Sequence, residues 1–265
     1  MLLTSGNTDR FMAKIKPKNK LAAFLYLIRD IGLVRATARS TMVVVRYICQ
    51  FVYNQHTRYL AHFSNYKIND PLNIVYLSPV QIDNSIFIKE DKLGKHKFRR
   101  NKIGLRYAGD IRAGDWDKKG EKFNKALTYT IFNQRFNGGK EWAETDYYAQ
   151  FQKLGGLRKC SSWETFLSQH LQKWDTLYQD IKTNGYKNHQ ECRKPPTDEI
   201  EVAVDRDGEI LFIDGRHRLV IAKLLKIPEV PVIVNIWHRD FIDYVKKQTG
   251  ENNITPAIAI RYAKP

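Results

Sequence analysis

The residues with the clearest chemical potential are five consecutive ones, Asp214-Gly215-Arg216-His217-Arg218. The two arginines supply charge and planar forks of donors that match phosphate geometry, and the histidine adds a further donor. The glycine lets the backbone approach a ligand closely. These residue types predict a phosphate-binding turn, although an N-cap aspartate followed by solvated basic residues would have the same sequence.

The neighbouring segments place this cluster where a strand ends and a helix begins. An Asp-Gly pair lies between two apolar runs, Glu199–Val204 and Ile210–Ile213, which predicts a β-hairpin. Apolar residues recur at helical spacing from Leu219 onward, Pro228 follows that helix, and Val230–Ile236 predicts a buried strand. The first turn of a helix carries N–H groups and the positive end of the helix dipole, and therefore favours an anion.

Residues 199–237 resemble the ParB/sulfiredoxin superfamily. The resemblance rests on the segments Ile213–Leu219 and Glu229–Val232 and on three apolar residues between them, Ala222, Leu224 and Leu225. That family holds nucleotide phosphates on a similar turn at the start of a helix. Its members include ParB proteins, which bind and hydrolyse CTP and clamp DNA, sulfiredoxin, which uses ATP to repair an over-oxidised cysteine, and a free-serine kinase. The resemblance implies an α+β fold with a small mixed sheet and packed helices, and a nucleotide (ATP, ADP or CTP) with Mg²⁺ as cofactors.

Two departures from the family narrow what the resemblance implies. Sulfiredoxin has a cysteine just before the His-Arg of its turn, whereas this chain has Arg216, which argues against cysteine repair. The longer partner motifs of ParB and its helix-turn-helix segment are not recognisable, which argues against sequence-specific DNA binding.

Carboxylates are the second requirement of phosphoryl-transfer chemistry. Asp115 and Asp117 lie two residues apart in Gly-Asp-Trp-Asp, so on an extended segment both point the same way. Such a pair is suited to hold Mg²⁺ beside a phosphate or to act as a general base. The alternative is a turn whose tryptophan packs into the core. Asp214 is a further candidate carboxylate, and His217 is the candidate that donates to a phosphate oxygen or orients a leaving group.

The charge of the chain favours a polyanionic partner. The 265 residues carry a net charge of +16, and 43% of them are hydrophobic, which is typical of a globular protein. Residues 83–120 are rich in basic side chains with interleaved aromatic residues, a pattern that suits stacked bases or sugars as well as a solvated loop. The candidate polyanion-binding residues there are Arg99, Arg100, Arg106 and Arg112.

The first 70 residues differ from the rest of the chain. They are basic and predict two helices, Leu21–Leu33 and Ala36–Phe63. The apolar stretch of the second helix covers only about a dozen residues and is interrupted by Arg46, so it is too short and too charged to span a bilayer. The two helices together suit a hairpin packed on the main domain, a basic amphipathic element on an anionic membrane, or a homodimer interface. Residues 71–265 then form the ParB/sulfiredoxin-like domain, with a helical insertion at about 140–185.

Four further elements are predicted inside that domain. They are a strand at Leu72–Leu77 and helices at Trp142–Leu154, Ser162–Thr183 and Asp240–Gln248. The Asn184-Gly185 pair is expected to end the second of these helices. The three cysteines show no metal-binding or disulfide pattern, which favours a reducing, cytoplasmic location, with peripheral membrane contact as a further option.

Three functions remain open from the sequence. The first is a nucleotide-dependent phosphotransferase (kinase) or NTPase that uses the turn. The second is a nucleic-acid-binding protein, non-enzymatic or nuclease-like, that uses the same basic surface. The third is a peripheral membrane protein that acts on a phosphorylated lipid or glycan.

Overall fold

The computed structural model describes residues 67–86, 107–156, 160–192 and 199–264, with six helical residues (48, 51, 52, 55, 56 and 59) before them. The six fall within the predicted second N-terminal helix. The rest of both predicted N-terminal helices lies outside the described residues. The continuous ranges from residue 67 all belong to one compact unit, Asn54–Pro265.

The described domain is mixed α/β. Its strands are β1 (Val75–Leu77), β2 (Asn84–Ile86), β3 (Asp110–Arg112), β4 (Lys119–Lys122), β5 (Ile200–Val204), β6 (Ile210–Asp214) and β7 (Val230–His238). Its α-helices are α1 (Leu127–Phe136), α2 (Asp146–Lys153), α3 (Trp163–Phe166), α4 (Gln172–Asn184), α5 (Arg216–Leu224), α6 (Arg239–Thr249) and α7 (Pro256–Ala259). Short 3₁₀ helices occupy Pro79–Gln81, Phe123–Lys125, Trp142–Glu144 and Ile260–Tyr262, and a π-helical segment, Leu167–Leu171, joins α3 to α4.

The seven strands form one mixed sheet in the order β1-β7-β5-β6-β2-β4, and β3 also pairs with β7. The long strand β7 pairs in parallel with β5 and β3 and antiparallel with β1. The hairpin of β5 and β6 is antiparallel, and β6 pairs in parallel with β2. The predicted hairpin and the buried strand after the helix are therefore confirmed, and that strand runs two residues further than expected.

Both faces of the central strands are buried. One face packs into the main core together with the helices, and its largest fully buried side chains include Phe132, Phe212 and Trp237. The other face carries a smaller cluster that includes Ala203, Leu211 and Trp116. Strands buried on both faces read as continuous apolar runs, which is why β5, β6 and β7 were recognisable in the sequence.

The helical region between β4 and β5 differs in detail from the prediction. The helix expected at Trp142–Leu154 is divided at Thr145, whose extended backbone and hydroxyl cap the start of α2. The helix α1 was not predicted. Gly185 ends α4 with φ of 76°, as its position after an asparagine indicated.

Candidate functional site

The turn between β6 and α5 has the backbone conformation that its glycine permits. Gly215 is the N-cap residue and has φ of 87° and ψ of 22°, in the left-handed region. A Cβ atom there would lie 2.8 Å from the Cα of Ile200 and 3.1 Å from the carbonyl oxygen of Glu199. Asp214 is not the N-cap; its Oδ1 accepts a hydrogen bond of 2.7 Å from the backbone N–H of Gly215. Conformation and contact both require glycine at this position.

The three basic residues of the turn occupy the first positions of α5. Arg216 is the first residue of the helix, followed by His217 and Arg218, and all three are half-buried. The first intrahelical bond runs from the N–H of Leu219 to the carbonyl of Gly215. The basic side chains thus lie at the positive end of the helix dipole, where negative charge is favoured.

Arg218 is paired with a buried carboxylate. Its guanidinium Nη1 lies 3.6 Å from Oε2 of Glu199, whose side chain has no exposed surface. The guanidinium also lies over the ring of Tyr186, 5.1 Å from the ring centroid, and Nη2 donates to the carbonyl oxygen of Lys187 at 3.5 Å. Burial raises the pKa of the Tyr186 hydroxyl, so the ring beside the guanidinium stays neutral. Arg218 therefore neutralises the buried carboxylate of Glu199.

Glu199 is fixed from its other side by the loop after α4. Its Oε1 accepts a hydrogen bond from the backbone N–H of His189 and lies 2.9 Å from the imidazole Nδ1 of the same residue. Oε2 has no hydrogen-bond partner among the described residues and meets only the longer ion pair with Arg218. The sequence placed Glu199 in a strand and gave it no role. A role for Glu199 could have been inferred from its charge, because a charged residue next to a buried strand needs a partner.

His217 is held by aromatic rings. Its imidazole stacks on Trp174 of α4, with the ring centroids 4.0 Å apart and the planes 15° from parallel. Phe132 of α1 lies 5.5 Å away on a tilted ring. Aromatic residues of α1 and α4 therefore help to orient the ring of His217.

A second buried carboxyl group lies beside the turn. Glu201 of β5 is 4% exposed, and its Oε2 accepts a hydrogen bond of 2.5 Å from Nδ2 of Asn235 on β7. Burial raises the pKa of Glu201 to about 7; the nearby Asp214 adds to this rise, and the bond from Asn235 opposes it. A carboxyl group that titrates near neutrality is suited to proton transfer. No sequence pattern singled out Glu201 or Asn235, since each is a polar residue inside a mostly apolar strand.

Asp115 and Asp117 both bind the guanidinium of Arg206. Asp117 accepts from Nε at 2.7 Å and from Nη2 at 2.8 Å, and Asp115 accepts from Nη2 at 2.9 Å. Burial alone would raise the pKa of Asp117, but the side-chain and backbone hydrogen bonds from Arg206 outweigh it and lower the pKa to about 2. The two carboxylates point the same way, as predicted, and the group between them is an arginine.

The structure separates this pair from the turn. Arg206 lies in the connection between β5 and β6, whereas Gly215 follows the far end of β6 and contacts Ile200 at the start of β5. The two groups therefore lie at opposite ends of the hairpin, on the order of 15–20 Å apart at about 3.3 Å per residue. Contrary to the sequence-based expectation, Asp115 and Asp117 are too far away to hold Mg²⁺ or act as a base at the turn.

The predicted polyanion-binding residues are described only in part. Nη2 of Arg112 donates to Oδ2 of Asp110 at 2.8 Å, and the guanidinium lies over the ring of Tyr107. Arg99, Arg100 and Arg106 lie outside the described residues. Within the described ranges, no three His, Cys, Asp or Glu side chains form a group that could hold a metal ion.

Comparison with protein-family models, with curated proteins and with solved structures found no match to this chain. No helix among residues 67–86, 107–156, 160–192 and 199–264, or at the six earlier positions, is long and apolar enough to cross a membrane.

Proposed function

We propose that this chain is a ParB/sulfiredoxin-like protein that binds a nucleotide through the turn at residues 214–218 and transfers or hydrolyses its terminal phosphate. The observation that carries the proposal is the left-handed Gly215 between β6 and α5, followed at once by Arg216, His217 and Arg218. Glycine permits the left-handed backbone that joins the strand to the helix, and the helix dipole and the guanidinium of Arg216 would oppose the charge of the phosphates.

Phosphoryl transfer asks a protein mainly for positioning and charge neutralisation. Arg216 and the first-turn N–H groups would bind the phosphates, and His217, held on Trp174, would donate to a phosphate oxygen. The exposed carboxylate of Asp214 fits Mg²⁺, which commonly takes one or two protein carboxylates and completes its shell with phosphates and water. When bound, Mg²⁺ would neutralise charge on the phosphates.

The test is thermal unfolding with ATP, ADP, CTP or GTP, each with and without Mg²⁺. A nucleotide at a hundred times its dissociation constant should stabilise the protein by about 2.7 kcal/mol. Arg216→Ala should remove the shift. Arg218→Ala is a poorer probe, because it would also leave Glu199 buried without its cation.

Arg239→Ala is the matched control. Arg239 is likewise the first residue of a helix, α6, but the N-cap of that helix is His238, whose side chain accepts the hydrogen bond from Asp240 N–H. This variant should keep the nucleotide-dependent shift. If no nucleotide stabilises the native chain, or if both variants respond equally, the turn is not a nucleotide site.

The net charge of +16 favours nucleic-acid binding as a second candidate. In that case the turn and the basic segment would contact phosphates without chemistry. Binding would then depend little on sequence, and its affinity would fall steeply as salt rises. Titration of a labelled single strand at two salt concentrations tests this candidate. Tight binding together with no response to any nucleotide would favour it over the phosphotransferase.

A further inference from the structure

Three bulky apolar side chains lie on one helical face in the unit Met1–Tyr53 and are exposed to solvent. Ile48, Phe51 and Val52 are helical, and the last two follow the first by three and four positions, so all three project from the same side of the helix. They are 56%, 63% and 60% exposed, respectively. We call these three residues the Phe51 face. A contiguous exposed group of large apolar side chains marks a surface that contacts a partner.

The sequence that contains the Phe51 face is strongly basic. The unit Met1–Tyr53 has nine Lys or Arg and two Asp or Glu residues, a net charge of +7. This unit therefore carries +7 of the total +16 in a fifth of the chain, and the other 212 residues carry +9. A partner that covers the face and matches its surroundings must offer an apolar environment together with negative charge.

An anionic lipid bilayer offers both. Its acyl chains accept apolar side chains at the headgroup boundary, and its negative surface potential attracts Lys and Arg. A second copy of this chain would bring another unit with the same charge of +7, and like charges oppose that contact. Nucleic acid would match the charge, but the aliphatic side chains of Ile48 and Val52 cannot stack on bases as aromatic rings do.

We propose that the Phe51 face docks this protein on an anionic membrane surface, with its three side chains at the boundary between headgroups and acyl chains. The basic residues of Met1–Tyr53 supply the attraction to the lipid headgroups. The helix lies on the bilayer and does not cross it, because the apolar stretch around the face covers only about a dozen residues. Docking does not depend on the proposed nucleotide site, which belongs to the unit Asn54–Pro265.

Co-sedimentation of the full chain with vesicles tests the proposal. The probes are vesicles of phosphatidylcholine alone and vesicles that also contain about 30% phosphatidylserine, each at low and at moderate salt. The chain should bind the phosphatidylserine vesicles about tenfold or more tightly than the neutral ones, and this affinity should fall as salt rises. Phe51→Ser with Val52→Ser should weaken binding to the anionic vesicles by about tenfold or more, because it removes apolar area without changing the charge.

Val80→Ser with Leu154→Ser is the matched control. These two side chains are 78% and 59% exposed and belong to the other unit, so this exchange also removes exposed apolar area and no charge. The control should bind vesicles like the native chain. Three results would overturn the docking face: equal losses in both double variants, unchanged binding of the Phe51 and Val52 variant, or no preference for the anionic vesicles.

Phe51→Trp gives a second measurement that does not rely on lost binding. With anionic vesicles that contain brominated lipids, a tryptophan at this position should be quenched beyond the change that the five native tryptophans show in the unaltered chain. The absence of extra quenching in vesicle-bound protein would refute insertion of the face. Light scattering without vesicles tests the competing occupant. A native dimer that becomes monomeric with Phe51→Ser and Val52→Ser would assign the face to a second copy and overturn the proposal.

Discussion

Replacing Glu201 by glutamine should make the protein more stable at pH 8 and leave its stability at pH 4.5 nearly unchanged. The substitution keeps the shape of the side chain and its ability to accept the bond from Asn235 Nδ2. It removes the negative charge that Glu201 acquires on ionisation, which burial destabilises. The effect on unfolding free energy should therefore appear only where the carboxyl group of the native protein ionises.

The magnitude follows from the pKa of Glu201, which rises from 4.5 to about 7 on folding. A raised carboxyl pKa means that the folded state holds the proton more tightly than the unfolded state. The native protein is then penalised progressively as pH rises from about 4.5 to about 7, and fully above that range. A shift of about 2.5 pKa units corresponds to about 3 kcal/mol at 1.36 kcal/mol per unit.

Urea unfolding at pH 4.5, 6 and 8 measures this difference directly. The unfolding midpoint of Glu201→Gln should exceed that of the native chain by roughly 1–2 M urea at pH 8, for a slope of about 2–3 kcal/mol per molar, and by little at pH 4.5. A difference that stays constant from pH 4.5 to pH 8 would refute the reasoning, because it would show that the carboxyl group does not titrate in that window.

Three further substitutions test other parts of the domain by the same unfolding measurement. Asp117→Asn should lower the free energy of unfolding by about 2 kcal/mol at pH 7. This loss should fade as pH falls from about 4 to about 2, because Asp117 stabilises the folded state only while its carboxyl group is ionised. Gly215→Ala should lower the free energy of unfolding by about 1–3 kcal/mol or more, because the residue has a positive φ and its new Cβ would meet backbone atoms. Gly250 also has a positive φ, of 70°, but its Cβ would meet open space, so Gly250→Ala should lower the free energy of unfolding by only about 1 kcal/mol. Arg218→Ala should cost about 3–5 kcal/mol, because Glu199 would stay buried and unpaired, and Arg218→Met with Glu199→Gln should recover most of it; equal costs for the single and double variants would contradict that pairing.

Local patterns predicted the part of the site that is continuous in sequence. The Asp-Gly hairpin, the apolar period of α5 and the glycine before it are all properties of neighbouring residues, and each determines backbone geometry within a few positions. The structure accordingly has the turn between β6 and α5 where the sequence placed it. Gly185 ended its helix for the same reason.

The remaining contacts depend on strand register, which local patterns do not contain. Glu201 meets Asn235 only because β5 lies parallel to β7 with a bulge between Val202 and Ala203. Arg206 reaches Asp115 across 91 positions of sequence. A one-residue change of register would send each side chain to the other face of the sheet. The pairing of Asp115 and Asp117 was therefore recognisable, but their distance from the turn was not.

The pairing of β7 also has a consequence for biosynthesis. Three strands that leave the ribosome earlier, β1, β3 and β5, all pair with β7. Val75 of β1 precedes its register partner Val232 by 157 residues. Until β7 emerges, the edge of β5 that pairs with β7 has unpaired backbone N–H and C=O groups. Such exposed strand edges favour association with other chains. The nascent protein thus passes through a stage in which six of the seven strands have been synthesised but the position of β7 inside the sheet is still empty. Chaperones should bind the nascent chain mainly at this stage.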